Sequence, residues 1–261
     1  TKSEQTDLLQ CLFGRNGESP MPVLAATSPT NCFDMAYAAC KIALEHMTPV
    51  ILMTDAFIAN GSAAWRLPDL AEYPAIEPPY VPEELKGEWT PYMRKENGSR
   101  YWAVPGRQGF EHILGGLEKD NKTGAISTNP ENHDLMTRLR QEKIEKIEVP
   151  DLVVEGCVED AELLIVGFGG TYGHLHSAME EMNRAGKKVA PAHFSFINPL
   201  PKNTAEVLGR YKKVVVAEQN MGQLAAFLRM KVDGFVPVQY NEVKGQPFVF
   251  SELVEAFTQM L

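Results

Sequence analysis

Apolar and polar positions along this chain fall into blocks that predict helices alternating with strands. Residues 3 to 12 have helix-forming composition and run into Gly14-Arg15-Asn16-Gly17-Glu18-Ser19-Pro20, where two glycines and a proline forbid helix and leave a shaped loop. Val23-Leu24-Ala25-Ala26 predicts a short buried strand, and Ser28 or Thr30 beside Pro29 is a helix start for a helix over about 31–47. Asp34, Lys41 and Glu45 fall on one narrow stripe of that helix. Phe33, Met35, Ala36, Ala39, Cys40, Ile42, Ala43 and Leu44 cover most of the rest, so it is expected to be largely buried. Pro49-Val50-Ile51-Leu52-Met53 is the unbroken apolar run of a strand covered on both faces, and strand, helix and strand together point to a parallel sheet.

The pattern then breaks. Residues 63–108 carry seven prolines (68, 74, 78, 79, 82, 91 and 105) and all three tryptophans, Trp65, Trp89 and Trp102. Such a long irregular stretch is expected to be a lid or a partner-wrapping arm, and its aromatic content favours burial against something over disorder. Asn129-Pro130-Glu131 starts an exposed connecting helix reaching Ile147, and Pro150 ends it. From 151 onward the order is strand Leu163–Val166, a glycine loop, a helix to about Arg184 capped by Gly186, and a strand near 188–190. Strand Val214–Ala217, a helix over 224–230, a strand near 236–239 and a helix over 251–260 complete it. Alternation of this kind predicts a parallel sheet with helices on both faces. The divisions expected are 1–62, 63–150 and 151–261.

Composition narrows the function classes. A formal net charge of -9 and a pI near 5.3 argue against nucleic acid or an anionic membrane as partner, since both need clustered Lys and Arg. Apolar runs of the size of Val50–Met53 fall far short of the roughly 20 residues that span a bilayer. Cysteines 11, 32, 40 and 157 show no C-x-x-C spacing, so a zinc or iron–sulfur site from local pairs is not expected, and reduced cytoplasmic thiols are. The chain opens on Thr1-Lys2-Ser3-Glu4 with no signal region, and is expected to be a piece of something longer.

Several residues stand where chemistry is possible. Gly167-Phe168-Gly169-Gly170-Thr171-Tyr172-Gly173 lies between a strand and a helix, the place of a dinucleotide's pyrophosphate, but its G-x-G-x-x-x-G spacing and the absence of an acid after the next strand favour a tight structural turn. His174 and His176 are two apart and cannot chelate a metal together on a helix. Glu218-Gln219-Asn220 and Asp55 follow strands at the carboxyl end, where caps and turns are commoner than catalysts. Arg15, in a glycine-flanked loop with no apolar pattern to explain it, suits recognition of a carboxylate or phosphate; the alternative is a loop-bracing salt bridge with Glu18.

Two groups of motifs carry a family likeness. Gly14-Arg15-Asn16-Gly17-Glu18-Ser19-Pro20-Met21-Pro22-Val23, Ser28-Pro29-Thr30-Asn31-Cys32-Phe33, Met47-Thr48-Pro49-Val50 and Ala59-Asn60-Gly61-Ser62 closely resemble the alpha subunit of 2-oxoacid:ferredoxin oxidoreductases, the 2-oxoglutarate type in particular. The glycine loop 167–173, Ile197-Asn198-Pro199-Leu200-Pro201 and Glu218-Gln219-Asn220-Met221-Gly222-Gln223-Leu224 resemble the domain that follows in those subunits, which is similar to a transketolase C-terminal domain.

The resemblance implies an α/β chain made of a remnant of a thiamine pyrimidine-binding domain followed by a transketolase C-terminal-like parallel-sheet domain. The activity implied is oxidative decarboxylation of a 2-oxoacid with coenzyme A to an acyl-CoA, carbon dioxide and reduced ferredoxin, with 2-oxoglutarate the first choice of substrate and succinyl-CoA its product. Thiamine diphosphate with Mg and an iron–sulfur cluster would be held mainly by a partner beta subunit, in a dimer of alpha–beta units, and the fragment would be inert alone. Arg15 would bind the substrate's 1-carboxylate, with Asn60, Gly61 and Ser62 shaping the same cleft or the subunit contact. No catalytic or metal-ligating residue is assigned. The strands and the thiamine-contacting glutamate that open the family's pyrimidine domain would, on this resemblance, lie upstream of residue 1. The rival readings are a branched-chain 2-oxoacid enzyme, a nicotinamide-dependent dehydrogenase using the glycine loop, and a non-catalytic subunit-contact module. Pro191 is expected to end the second strand of the later domain.

Overall fold

The computed structural model describes residues 2–113 and 115–261. Helix α1 covers only Leu8–Phe13, not 3–12. Residues 3–5 stay out of the helix and 6–7 form a turn: Ser3 N and Gln5 N donate to Gly245 O and Gln219 O at 3.3 and 3.0 Å, tertiary bonds that outweigh a weak local helix preference. Strand β1 (Val23–Ala25), helix α2 (Asn31–His46) and strand β2 (Ile51–Met53) form the expected unit, with β1 and β2 parallel in register Val23 to Ile51. Helix α2 is less buried than its pattern suggests. Its buried residues are Met35 and Ile42, and Leu44 is 38% exposed.

A short helix α3 (Ala56–Asn60) leads into the proline-rich excursion, which has two 3₁₀ turns and isolated bridges in place of regular structure. The excursion roofs one flank of α2. Trp102 Nε1 donates to Leu44 O at 3.1 Å, the Tyr37 hydroxyl donates to Pro74 O, and Phe33 packs on Trp65 and Tyr73 at 5.7 and 5.4 Å between ring centroids. Helix α4 (Pro130–Glu145) starts as expected, with the Asn129 side chain accepting from Asn132 N, and stops two residues before Ile147.

The later residues fold as β3 (Leu163–Phe168), α5 (Tyr172–Arg184), β4 (Val189–Phe194), β5 (Phe196–Asn198), α6 (Thr204–Arg210), β6 (Val214–Glu218), α7 (Gln223–Lys231), β7 (Val238–Asn241) and α8 (Phe250–Met260). The parallel sheet has order β4-β3-β6-β7. Pro191 does not end β4, which runs three residues further. The strand lies at the sheet's edge, and the Pro191 carbonyl accepts Glu155 N on the outer side at 3.0 Å. The proline nitrogen faces that same side, so no bond to β3 is lost.

After Ser195 the chain leaves this sheet. Strand β5 joins the first one, antiparallel to β1, giving order β2-β1-β5, and Ala25 N donates to Ser195 O at 2.8 Å. Alternate residues of β3 serve opposite faces. Leu163 and Ile165 pack with Leu175 and Met179 of α5 and with Leu253 and Phe257 of α8. Leu164, Val166 and Phe168 join Leu8, Leu12, Val23, Ala25 and Phe227 in a core that extends across both sheets. No helix among the described residues is long and apolar enough to cross a membrane.

Candidate active site

In α/β sheets ligands sit beyond the carboxyl ends of the strands. Here three such ends converge. Ala25 and Ala26 at the end of β1, Met53, Thr54 and Asp55 at the end of β2, and Phe168, Gly169 and Gly170 at the end of β3 line a cavity of about 40 Å³ together with the segment Glu4–Asp7. Asp55 N-caps α3, its Oδ1 accepting Ile58 N at 3.0 Å, and Oδ2 faces Gly170 so closely that a Cβ there would stand 2.1 Å away. Gly169 has φ +58, and its Cβ would meet Gln5 Nε2 at 3.0 Å. The glycines thus admit neighbouring side chains of the same chain.

Gln5 is the pin of this junction. It is buried, its Nε2 donates to Phe168 O at 2.6 Å, its Oε1 accepts Gln219 N at 3.1 Å, and its carbonyl accepts Asn220 Nδ2 at 2.9 Å. Nothing local in the sequence marks a lone glutamine for that role. The Glu218-Gln219-Asn220 motif is structural: the buried Glu218 carboxylate accepts Leu224 N and Ala225 N at 2.7 and 3.0 Å, opening α7, and Asn220 Oδ1 accepts Gly222 N and Gln223 N. Burial raises the Glu218 pKa although those backbone bonds oppose it.

His193 donates from Nε2 to Gly169 O at 2.9 Å, and burial pulls it down to about 4, so the imidazole is neutral near pH 7. It borders a second cavity, of about 250 Å³, with Tyr172, Glu155, Asp151 and Thr27. His174 packs on Phe57 at 4.8 Å while His176 reaches Glu155 at 3.1 Å, so the two histidines do diverge. Among the described residues no group of three or more His, Cys, Asp or Glu is placed to hold a metal ion.

Arg15 lies at the other end of β1, before its first residue. Its Nε and Nη2 donate to Ser19 O at 3.0 and 2.9 Å, Nη1 to Cys11 O at 2.6 Å and Nη2 to Leu12 O at 2.8 Å. The guanidinium therefore closes the carboxyl end of α1 and braces its own loop through carbonyls, with no Glu18 ion pair among the described residues. One of its five protons, on Nη1, is left over. It lines a cavity of about 230 Å³ with Glu18, Gln141, Asn198, Phe227 and Lys231. Asn60, Gly61 and Ser62 are exposed and do not line it; a Cβ on Gly61 would sit 3.4 Å from Pro29, beyond the carboxyl end of β1. The structure does not bring Arg15 and these three residues together.

Residues 1–129 match the profile of the family described as pyruvate flavodoxin/ferredoxin oxidoreductase, thiamine diphosphate-binding. Over 256 residues, 97% of this chain, the sequence is 50% identical to the 2-oxoglutarate oxidoreductase subunit KorA of Mycobacterium tuberculosis. The chain belongs to the 2-oxoacid:ferredoxin oxidoreductase alpha-subunit family. A 2-oxoacid:ferredoxin oxidoreductase alpha subunit from Aeropyrum pernix is 30% identical over 98% of the chain. The 2-oxoglutarate:ferredoxin oxidoreductase of Magnetococcus marinus, solved with 2-oxoglutarate, coenzyme A and succinyl-CoA bound, superposes with a TM-score of 0.90 over 99% of the chain at 28% identity. The chain spans 38%, 41% and 45% of the lengths of these three relatives. As a family member it carries the α/β fold expected, a thiamine-binding-domain portion and a parallel-sheet domain.

Proposed function

We propose that this chain serves as part of the alpha subunit of a thiamine diphosphate-dependent 2-oxoacid:ferredoxin oxidoreductase in the cytoplasm, converting 2-oxoglutarate and coenzyme A to succinyl-CoA, carbon dioxide and reduced ferredoxin. The observation that carries this reading is the 50% identity to a 2-oxoglutarate oxidoreductase subunit across 97% of the chain. Thiamine diphosphate, when bound, takes up the electrons left by the departing carboxylate. The 40 Å³ gap at the carboxyl ends of β1, β2 and β3 is far below the roughly 300 Å³ at which ligand pockets begin, so these residues alone do not fit that cofactor. The reading assigns the cofactor, its Mg and the iron–sulfur cluster mainly to a partner beta subunit, within a dimer of alpha–beta units. Residues 1–62, 63–150 and 151–261 are its pyrimidine-domain portion, its excursion with connecting helix, and its later domain.

Arg15 is assigned to the substrate's 1-carboxylate, supported by its place on the 230 Å³ cavity beside a second cation, Lys231. A two-pronged grip requires the loop to release Ser19 O. In the assembled enzyme, Arg15→Ala should raise KM for 2-oxoglutarate by about tenfold, roughly 1.4 kcal/mol of lost binding, and leave KM for coenzyme A unchanged. Arg15→Lys should not restore it, because a point charge cannot reproduce the planar fork. Unchanged KM with a lower melting temperature would leave Arg15 a loop brace only; a higher kcat/KM for branched-chain 2-oxoacids than for 2-oxoglutarate in the parent enzyme would overturn the substrate assignment.

A further inference from the structure

Four cations meet at one corner of the molecule without a carboxylate among them. Arg94 and Arg100 stand opposite each other in the antiparallel bridge closing the hairpin 94–100, where side chains lie within about 5 Å and like charges repel. The hairpin rests on α4: a Cβ at Gly98 would come within 3.3 Å of the Lys143 Cα, and Arg94 Nη2 reaches Met136 Sδ at 3.2 Å. Met136, Arg140 and Lys143 recur at helical spacing and share that face. Among the described residues none of the four cations forms an ion pair.

Their bonds go to neutral groups. Arg94 Nη1 donates to the carbonyls of Tyr92 and Asn121, Arg100 Nη1 to Pro91 O at 3.3 Å, Arg140 Nη2 to Thr137 Oγ1 at 3.2 Å and Lys143 Nζ to Met47 O at 2.9 Å. All four are half-buried, and burial together with Arg100, Arg94 and Arg140 brings Lys143 down to about 8. His46 at the end of α2 adds a buried Nδ1 with no partner, its pKa lowered by burial and by Lys143 and Lys95 against the pull of Glu45. Glu118, whose carboxyl feels Arg140 only weakly, is held by His133 and Asn132. Capping the carboxyl end of α2 explains Lys143, and the Tyr92 ring lies 4.5 Å from Arg100 and 5.8 Å from Arg94, but none of these contacts supplies an anion to the three arginines. In a chain of net charge -9 the gathering is not for want of carboxylates.

We propose that this corner, formed by Arg94, Arg100, Arg140 and Lys143, is a binding site for a phosphate group, free or at the end of a small molecule. A single carboxylate would leave most of the charge uncompensated, whereas a phosphate brings close to two negative charges and three acceptor oxygens. Arg100 and Arg140 each use one of five N–H donors, so their forks are open to it.

The test is thermal unfolding of the purified subunit in inorganic phosphate, in adenosine monophosphate, and in sodium chloride of matched ionic strength. Phosphate at about ten times its dissociation constant should raise the melting temperature by about 3 °C over chloride. Arg100→Gln and Arg140→Gln should each lose that increment while melting in chloride no lower than the parent, since each removes a repelling charge. Tighter binding of the monophosphate than of phosphate places the group on a small molecule; equal or weaker binding makes it free phosphate. Equal shifts in phosphate and chloride, or a shift retained in both variants, overturns the site.

Discussion

Gly170→Ala should destabilise the chain, although alanine suits the 3₁₀ turn 169–171 that leads into α5 better than glycine does. Gly170 is not among the glycines with positive φ, so chain entropy alone would make the substitution stabilising by about 0.4–1 kcal/mol. The obstacle is Asp55. The new methyl would stand 2.1 Å from its Oδ2 and 2.7 Å from Cγ and Oδ1, and Asp55 is not free to swing because Oδ1 holds Ile58 N as the cap of α3. Either the entry to α5 retreats, at the roughly 1–3 kcal/mol of an overpacked contact, or the cap breaks, at about 1 kcal/mol. Set against the entropy gain, the net loss is about 0.5–1 kcal/mol, which should lower the melting temperature by roughly 1–4 °C for a chain of this size. Asp55→Ala alone should cost about 1 kcal/mol, and on that background Gly170→Ala should become neutral or stabilising, a coupling of about 1–2 kcal/mol. Urea unfolding of the four proteins measures it. A Gly170→Ala variant as stable as the parent, or costs that simply add in the double variant, would refute the contact as the cause.

His193 is held near 4 in the folded chain against 6.5 when unfolded, so the unfolded state binds a proton first as pH falls. Its contribution is intact above pH 6.5 and is lost toward pH 4 by at most about 1.4 kcal/mol per unit, and His193→Gln should flatten urea midpoints across that window. Glu218 has the opposite sign. Its folded pKa is raised, so between the ordinary glutamate value and the raised one the native state binds more protons, and stability falls as pH rises through that interval. Glu218→Gln should remove that slope while lowering stability by about 1–2 kcal/mol through one lost acceptor at the start of α7, as urea midpoints between pH 4.5 and 7 would show.

The strand–helix–strand unit and the parallel sheet were legible because unbroken apolar runs such as Val50–Met53 and Leu163–Val166 leave few alternatives. The glycine loop was legible as a turn, and Glu218 and Asp55 as caps, because each choice rested on local spacing. What was hidden depends on distant partners. Residues 3–6 have helical composition but bond to residues 219 and 245, and β5 is a three-residue strand whose pairing is set by β1, some 170 positions earlier. Helix α2 looked buried because its composition reports apolarity, not how much roof the excursion provides. Arg15 was legible as a special loop residue, and its four bonds to carbonyls come from the curl of its own loop, which spacing does not reveal.

The step from β4 to β5 through Ser195 makes the two sheets inseparable by any single cut. A product ending near residue 150 would keep β1 with an open side, its N–H and C=O groups bare where β5 had been, and one beginning there would carry β5 as a loose tongue seeking an edge. Both halves would be prone to pair with strangers. Dissecting this protein into modules therefore calls for co-expression of complementary pieces, which β5 itself would stitch back together.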